Sequence, residues 1–388
     1  MRIKNCFLLF MLLMSSVSLS LANKPVKRVI LFTIDGLHWE APQKTHMPVF
    51  NSLIKEGTYI QQSYVILPHH PTIGDYSKYN SCSFPNPVLH QGTLFLSDEN
   101  KMIQEYFSPK EQTAFVVNTV AYKSVGRGFT TLIMDDLLTD AEVVDQSIQI
   151  MKTQHPVFMR IHLQRPGQRG FDISQMDKDS PYYNNIFAKG SPYVAAIENA
   201  DIQLGRFIHY LKESGKWDET VLIITSDHGQ SNIGWHALFD ENAWRTPLLF
   251  IGAGIAKNRV LPYFEHTDIA PTIMGILGRG IPRINGGGGH FIDAMLINGN
   301  KQAAYPEHIK ILNNQIKEYG YLKAEMMMKS LSNLRLLNAI ALLDNSASGA
   351  SFYHQDRILE WYKAGTTEQL IQTNNTVLEK MKKLLNDN

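Results

Sequence analysis

Apolar residues fall into two rhythms along the chain. Short runs rich in β-branched and aromatic residues read as buried strands: VILFTI at 29–34, SYVIL at 63–67, TAFVVN at 113–118, PVFMRIHL at 156–163, VLIIT at 221–225 and PLLFIGA at 247–253. Between them lie segments with a helical period. In MPVFNSLIKEG, Val49, Leu53 and Ile54 share a face and Gly57 is a stop signal. In the longer YVAAIENADIQLGRFIHYLKESG, the apolar positions are Val194, Ile197, Ile202, Leu204, Ile208 and Leu211, and Gly215 ends the helix. Strands alternating with helices predict an α/β fold, with a mostly parallel sheet and helices on both faces. Ligands of such sheets bind beyond the carboxyl ends of the strands.

From about Lys301 the strand rhythm stops. Ile309, Leu312, Ile316 and Tyr319 are helix-spaced, as are Leu331, Leu334 and Leu337, and later Val377, Leu378, Met381, Leu384 and Leu385. The expected organisation is a signal peptide at 1–22, a catalytic domain at 23–300 and a helical C-terminal region at 301–388. Four glycines at 286–289 mark a loop near that boundary.

Composition narrows the class. With 44% apolar and 19% charged residues, the 388-residue chain can bury a large core. A formal net charge of +1 and no basic block argue against a nucleic-acid partner. Arg2 and Lys4 precede an apolar stretch from Phe7 to about Val17, with small residues at Ser20 and Ala22. The pattern predicts a cleaved signal peptide and export, to the periplasm or outside the cell, with no stable membrane anchor. Removing it leaves Cys82 as the one cysteine, so no internal disulfide forms.

The chemistry enters where two apolar runs stop. FTIDG ends the first on Asp35, and ITSDHG ends another on Asp227 and His228. One carboxylate at a strand end reads as a cap. Three polar groups at two strand ends point to a shared site, because uncompensated buried charge costs several kcal/mol. A divalent cation resolves that cost, and Asp and His suit zinc or manganese. His236 is a fourth candidate, balanced against an ordinary buried histidine.

The chain resembles the alkaline phosphatase superfamily, in particular its sulfatases and nucleotide pyrophosphatase/phosphodiesterases. VILFTIDGLHWEA, MPVFNSLIKEGTYI, TSDHGQ, GWHALFDENAWRTPLLFIGAGI and HTDIAPTIMGILG carry the resemblance, in family order from about Val29 to Ile292. It implies an alkaline phosphatase-like fold and a metal-dependent hydrolase of phosphate (di)esters or related sulfate esters, with a small anionic ester as its binding partner. The family nucleophile falls on Thr72, 37 residues after Asp35, and Pro85 sits where a Tyr-Pro-like pair is expected. The implied metal set is Asp35, Thr72, Asp227 and His228, with His236 toward a second ion. The ion is zinc, one or two, with manganese or calcium as alternatives. Cys82 lies in CSFPN, which lacks the sulfatase spacing and arginine for conversion to formylglycine.

One family feature is altered. Two-metal members carry Asp-x-x-x-His between nucleophile and DHG motif, and Gln164 and Gln168 stand there, with His162 and Asp172 near by. Neutral amides are weak zinc ligands. Three arrangements follow: one metal, with His162, Arg165 or Arg169 holding the substrate anion; an altered second metal set including His236; or ligand binding without turnover. A phospho- or sulfotransferase using the same intermediate is a further alternative to hydrolysis.

Overall fold

A computed structural model describes residues 25–65, 88–90, 93–95, 101–236, 240–280, 290–300, 307–344 and 368–387. The signal-peptide segment, Thr72, Cys82 and the four-glycine loop lie outside the described residues.

In chain order the main elements are β1 (Arg28–Ile34), α1 (Pro48–Glu56), β2 (Thr58–Tyr64), β3 (Val88–His90), β4 (Thr93–Phe95), β5 (Thr113–Val117), β6 (Thr131–Met134), α2 (Asp140–Thr153), β7 (Phe158–Leu163), α3 (Arg165–Ser174), α4 (Pro192–Glu213), β8 (Thr220–Thr225), β9 (Arg245–Gly252), β10 (Arg259–Leu261), β11 (Phe264–Glu265) and α5 (Ile269–Ile276). Among the described residues, three C-terminal helices follow: α6 (Glu307–Ser330), α7 (Leu334–Asp344) and α8 (Glu368–Asn386). Nine strands form one sheet in the order β10-β2-β9-β8-β1-β7-β5-β6, with β11 also pairing with β2. β3 and β4 form a separate antiparallel pair.

β1 lies at the centre, parallel to β7 on one side and β8 on the other. All seven of its residues are buried, as a strand covered on both faces requires. Ile30, Phe32 and Ile34 pack on one face with Phe50 and Leu53 of α1, Val143 and Met151 of α2, and Leu204 and Phe207 of α4. Val29 and Leu31 pack on the other with Phe158, Ile273 and Met274. The mostly parallel sheet with helices on both faces is thus present. β9 is the exception: PLLFIGA forms the expected strand, but it runs antiparallel to both β8 and β2.

Helical register departs from the sequence expectation in two places. On α4 the buried stripe includes Ala200, Asp201 and Phe207, while Ile202 is 59% exposed. Asp201 goes inward because its carboxylate accepts the backbone N–H groups of Val49 (2.9 Å) and Phe50 (2.8 Å), at the positive N-terminal end of α1. In the C-terminal region, Leu336, Ile340 and Leu343 of α7 pack with Val377, Leu378, Met381 and Leu385 of α8. Leu331, Leu334 and Leu337 are exposed instead, Leu331 at 85%. The side chains of Ile309, Leu312 and Ile316 are not among those described. No helix among the described residues is long and apolar enough to cross a membrane.

Candidate metal centre

The sheet brings the two acidic strand ends together. Asp35 follows β1 directly, and its N–H donates to the Leu163 carbonyl at the end of β7 (2.9 Å). Asp227 and His228 lie just past β8, the other neighbour of β1. The backbone then turns sharply. Gly36 sits at φ +57°, and its N–H donates to Asp227 Oδ1 (3.1 Å). Leu37 N–H donates to Ser226 Oγ (2.9 Å). These bonds fasten the β1 loop to the β8 loop.

Asp35, Asp227 and His228 are all buried, and one ligand atom from each lies within 4.8 Å of the others. His228 Nε2 is 3.4 Å from Asp227 Oδ2 and 3.9 Å from Asp35 Oδ1. Tetrahedral bonds of about 2.1 Å imply ligand-to-ligand edges of roughly 3.4 Å, so this spacing accommodates a zinc-sized ion. His228 Nδ1–H donates to the Gly229 carbonyl (2.7 Å), which leaves the Nε2 lone pair directed to the carboxylates. That is the tautomer a ligating imidazole needs. The donor set therefore fits a divalent cation.

Electrostatics lead to the same conclusion. Burial first, and then the neighbouring Asp227 charge, hold the Asp35 carboxyl well above the usual carboxylate range. Burial pushes Asp227 the same way, but the His228 and His162 imidazoles and the Gly36 N–H outweigh it and hold Asp227 low. Without a cation, two carboxylates this close keep a proton on Asp35; a cation favours the fully ionised pair.

Two further buried side chains contact the carboxylates. His162 Nε2 lies 3.1 Å from Asp35 Oδ2. The Tyr122 hydroxyl donates to Asp227 Oδ2 (2.9 Å) and lies 3.1 Å from His162 Nε2. His162 is fully buried, and burial pushes its pKa down to about 3. The sequence reading placed His162 near a substrate; in the fold it is enclosed against Asp35. Its position follows from strand register, since His162 of β7 pairs with Thr33 of β1. Tyr122 was not anticipated. It sits in a short 3₁₀ turn, Val120–Val125, where no local pattern marks it.

Glycines make the close approaches possible. A Cβ on Gly167, in α3, would fall 1.5 Å from Asp35 Oδ1. One on Gly229, the glycine of the DHG motif, would fall 1.9 Å from the Asn242 carbonyl.

The remaining candidates are distributed around α3 and the loop after β8. Gln164 occupies the position just before α3, where its backbone N–H donates to Asn118 Oδ1 (2.8 Å) and its side chain favours the ionised form of Asp35. Gln168 is exposed and donates to Asp172 Oδ1 (3.0 Å). Arg169 pairs with Asp172 at 2.8 Å. Arg165 lines a cavity with Gln164 and Gln168. His236 is buried, with its ring edge-on to His228 at 4.3 Å and stacked on Trp235 at 3.9 Å. Neither His236 nor Asp172 joins the clustered ligand atoms of Asp35, Asp227 and His228.

Comparison with known proteins adds the family. The curated relatives include the multifunctional alkaline phosphatase superfamily protein PehA of Trinickia caryophylli, 37% identical over 100 residues, which are 24% of this chain and 19% of PehA. The choline-sulfatase of Rhizobium meliloti is 27% identical over 149 residues, 37% of this chain and 27% of that enzyme. The chain thus spans less than a third of the length of these relatives. Among solved structures, the phosphonate monoester hydrolase of Agrobacterium radiobacter shares the fold at a TM-score of 0.58 and 15% identity, covering 73% of this chain and 79% of that one. The family model described as Sulfatase matches residues 78–279, just over half of the 388 residues. On that match, and with an alkaline phosphatase-like fold around the site, the chain belongs to the sulfatase family.

Proposed function

We propose that the protein is an exported, metal-dependent hydrolase of sulfate or phosphate esters. The observation that supports this most directly is the buried Asp35–Asp227–His228 group at the ends of two adjacent parallel strands. Family membership supplies the reaction class. Choline-sulfatase and phosphonate monoester hydrolase, by their names, act on esters of sulfur and phosphorus acids respectively.

In this reading Asp35, Asp227 and His228 hold the ion, and zinc suits one imidazole and two carboxylates. When bound, the ion supplies Lewis acidity and lowers the pKa of an oxygen nucleophile. Thr72 is the assigned nucleophile, because the family resemblance places the nucleophile there, 37 residues after Asp35. Its oxygen bonds to the sulfur or phosphorus atom as the bond to the ester oxygen breaks, and the alcohol leaves with a proton. Water then cleaves the threonyl ester, releasing the inorganic acid and restoring the hydroxyl. His162 holds Asp35 Oδ2, and Tyr122 donates to Asp227 Oδ2, which orients the two carboxylates. Residues 1–22 direct export.

The test pairs turnover with metal content. Thr72→Ala is expected to abolish hydrolysis of 4-nitrophenyl sulfate, phosphate and phenylphosphonate while retaining zinc by elemental analysis. Asp227→Asn is expected to lose the zinc as well. Full activity in Thr72→Ala removes the nucleophile. A wild-type protein that binds zinc and hydrolyses none of the three esters favours binding without turnover, a reading motivated by Gln164 and Gln168.

A further inference from the structure

The C-terminal helices carry more apolar surface than their own core uses. α7 reads LRLLNAIALLD. Its inner residues Leu336, Ile340 and Leu343 pack with Met326 of α6 and with Val377, Leu378, Met381 and Leu385 of α8. Its outer face is apolar as well, and that surface continues across the α6–α7 turn. Met327, Met328, Leu331, Leu334 and Leu337 are each between 50% and 85% exposed. A helix apolar on both faces calls for a second apolar environment besides its own core. A clustered apolar patch of this kind marks an interaction surface.

The turn that presents these side chains is held by local bonds. The Ser332 N–H donates to the Lys329 carbonyl (3.2 Å) and the Asn333 N–H to the Ser330 carbonyl (3.3 Å). Asn333 Oδ1 accepts the Arg335 N–H (3.0 Å) at the start of α7. The end of one helix and the start of the next are thus capped without outside partners. Leu331 and Leu334 stand on either side of this turn, so the apolar cluster sits at the tip of a helical hairpin.

Cations surround the tip. Lys329 and Arg335 are interleaved with the apolar residues, and both are exposed. α8 adds more at the same end. Gln315 of α6 donates to the Ile371 carbonyl (2.9 Å) and to Asn375 Oδ1 (2.7 Å), whereas Glu318, further along α6, pairs with Lys382. The two helices therefore run in the same direction, and the C-terminal turns of α8 lie toward the tip. Lys329 pairs with Glu325, but Arg335, Lys380 and Lys383 are exposed and make no ion pair among the described residues. Positive charge is in excess, three to one over residues 321–337 and three to two over residues 379–387.

This charge selects the occupant. A second copy of the chain would bring like charges face to face. An anionic bilayer places negative headgroups directly above an acyl layer, and a short apolar tip ringed by cations matches both layers at once. Lysine and arginine stems lie along apolar surface while their heads stay among the headgroups. Methionine conforms to irregular apolar surroundings.

We propose that the α6–α7 hairpin is a reversible docking tip for an anionic lipid surface. Leu331 and Leu334 enter the acyl boundary, and Arg335, Lys380 and Lys383 meet the headgroups. No described helix is long and apolar enough to cross a membrane, so the contact is interfacial. The inference stands independently of the proposed ester hydrolysis.

The test is vesicle sedimentation with the secreted form of the chain. Sucrose-loaded vesicles of phosphatidylglycerol and phosphatidylcholine in equal parts are expected to bind it at least tenfold more tightly than vesicles of phosphatidylcholine alone. Leu331→Ser combined with Leu334→Ser is expected to weaken binding to the anionic vesicles at least tenfold. Lys380→Glu combined with Lys383→Glu is expected to remove the preference for them. The four substituted residues are exposed, so both variants keep the fold; circular dichroism verifies this. Light scattering after size-exclusion chromatography reads the oligomeric state. A wild type that does not sediment with anionic vesicles overturns the inference, as does undiminished binding by the double-serine variant. A dimer that the double-serine variant dissociates also overturns it, in favour of an interface between copies.

Discussion

Gly167→Ala tests the site through one methyl group. Gly167 lies in α3, and a Cβ there would fall 1.5 Å from Asp35 Oδ1 and 2.6 Å from its Cγ. Ordinary contact begins at 3.4 Å, so the carboxylate oxygen has to retreat by about 2 Å. Metal–ligand bonds tolerate displacements of about 0.2 Å, so Asp35 is lost as a ligand. Losing even an outer-shell partner costs about 10–100-fold in metal affinity. Displacing a direct ligand is expected to cost at least the upper end of that range, or about 2.7 kcal/mol. The fold suffers less. Overpacking costs about 1–3 kcal/mol, and alanine in place of glycine returns about 1 kcal/mol of helix propensity. The expected variant is therefore folded, within about 2 kcal/mol of wild type in chelator, and at least 100-fold weaker for zinc. Zinc affinity is measured by competition with a chromogenic chelator, and stability by urea unfolding in EDTA. Gly205→Ala in α4 is the control, since the three atoms nearest its Cβ all belong to the Val49 side chain, the closest at 3.0 Å. A folded Gly167→Ala protein that binds zinc within threefold of wild type refutes the assignment of Asp35 as a ligand.

Three further outcomes are expected. Tyr122→Phe removes the hydroxyl that donates to Asp227 Oδ2 and should weaken zinc binding about 10–100-fold, read in the same competition assay. His38 is fully buried, and burial pushes its pKa down to about 4 from an ordinary 6.5. Between those values the unfolded chain binds a proton that the native state refuses, so this stability is complete above about pH 6.5 and is lost as pH falls to about 4. The loss is about 3 kcal/mol, and urea unfolding of His38→Phe should lack that part of the wild-type pH dependence. Zinc at 100 times its dissociation constant should stabilise the wild type by about 2.7 kcal/mol, and Asp227→Asn much less, in thermal melts.

What the sequence revealed depended on whether the cause was local. β1 and β8 were legible because both are fully buried, which leaves an unbroken apolar run. Asp35, Asp227 and His228 stood out because they interrupt those runs. The direction of β9 was not legible, since an apolar run reads alike in a parallel or antiparallel neighbour. β6 escaped notice because it is four residues long and only partly buried. Periodicity places helices in the C-terminal region but not the face that is covered, which is why the helix-spaced Leu331, Leu334 and Leu337 are exposed and Leu336, Ile340 and Leu343 are buried. Tyr122 reaches the site through tertiary folding alone, from a turn whose sequence resembles any other. His162 was visible as a strand residue, but its bond to Asp35 depends on the pairing of β7 with β1.

The hydrogen bond from Gly36 to Asp227 joins residues 191 positions apart. During synthesis the first half of the centre must therefore wait while most of the sheet-forming chain emerges. Asp35 and its turn have no acceptor on the β8 side until the strand ending at Thr225 is inserted beside β1. No early folding intermediate built from the N-terminal segments alone can capture an ion with the native donor set. Tight ion capture thus marks a finished topology, and a chain truncated ahead of Asp227 should emerge from the ribosome without it.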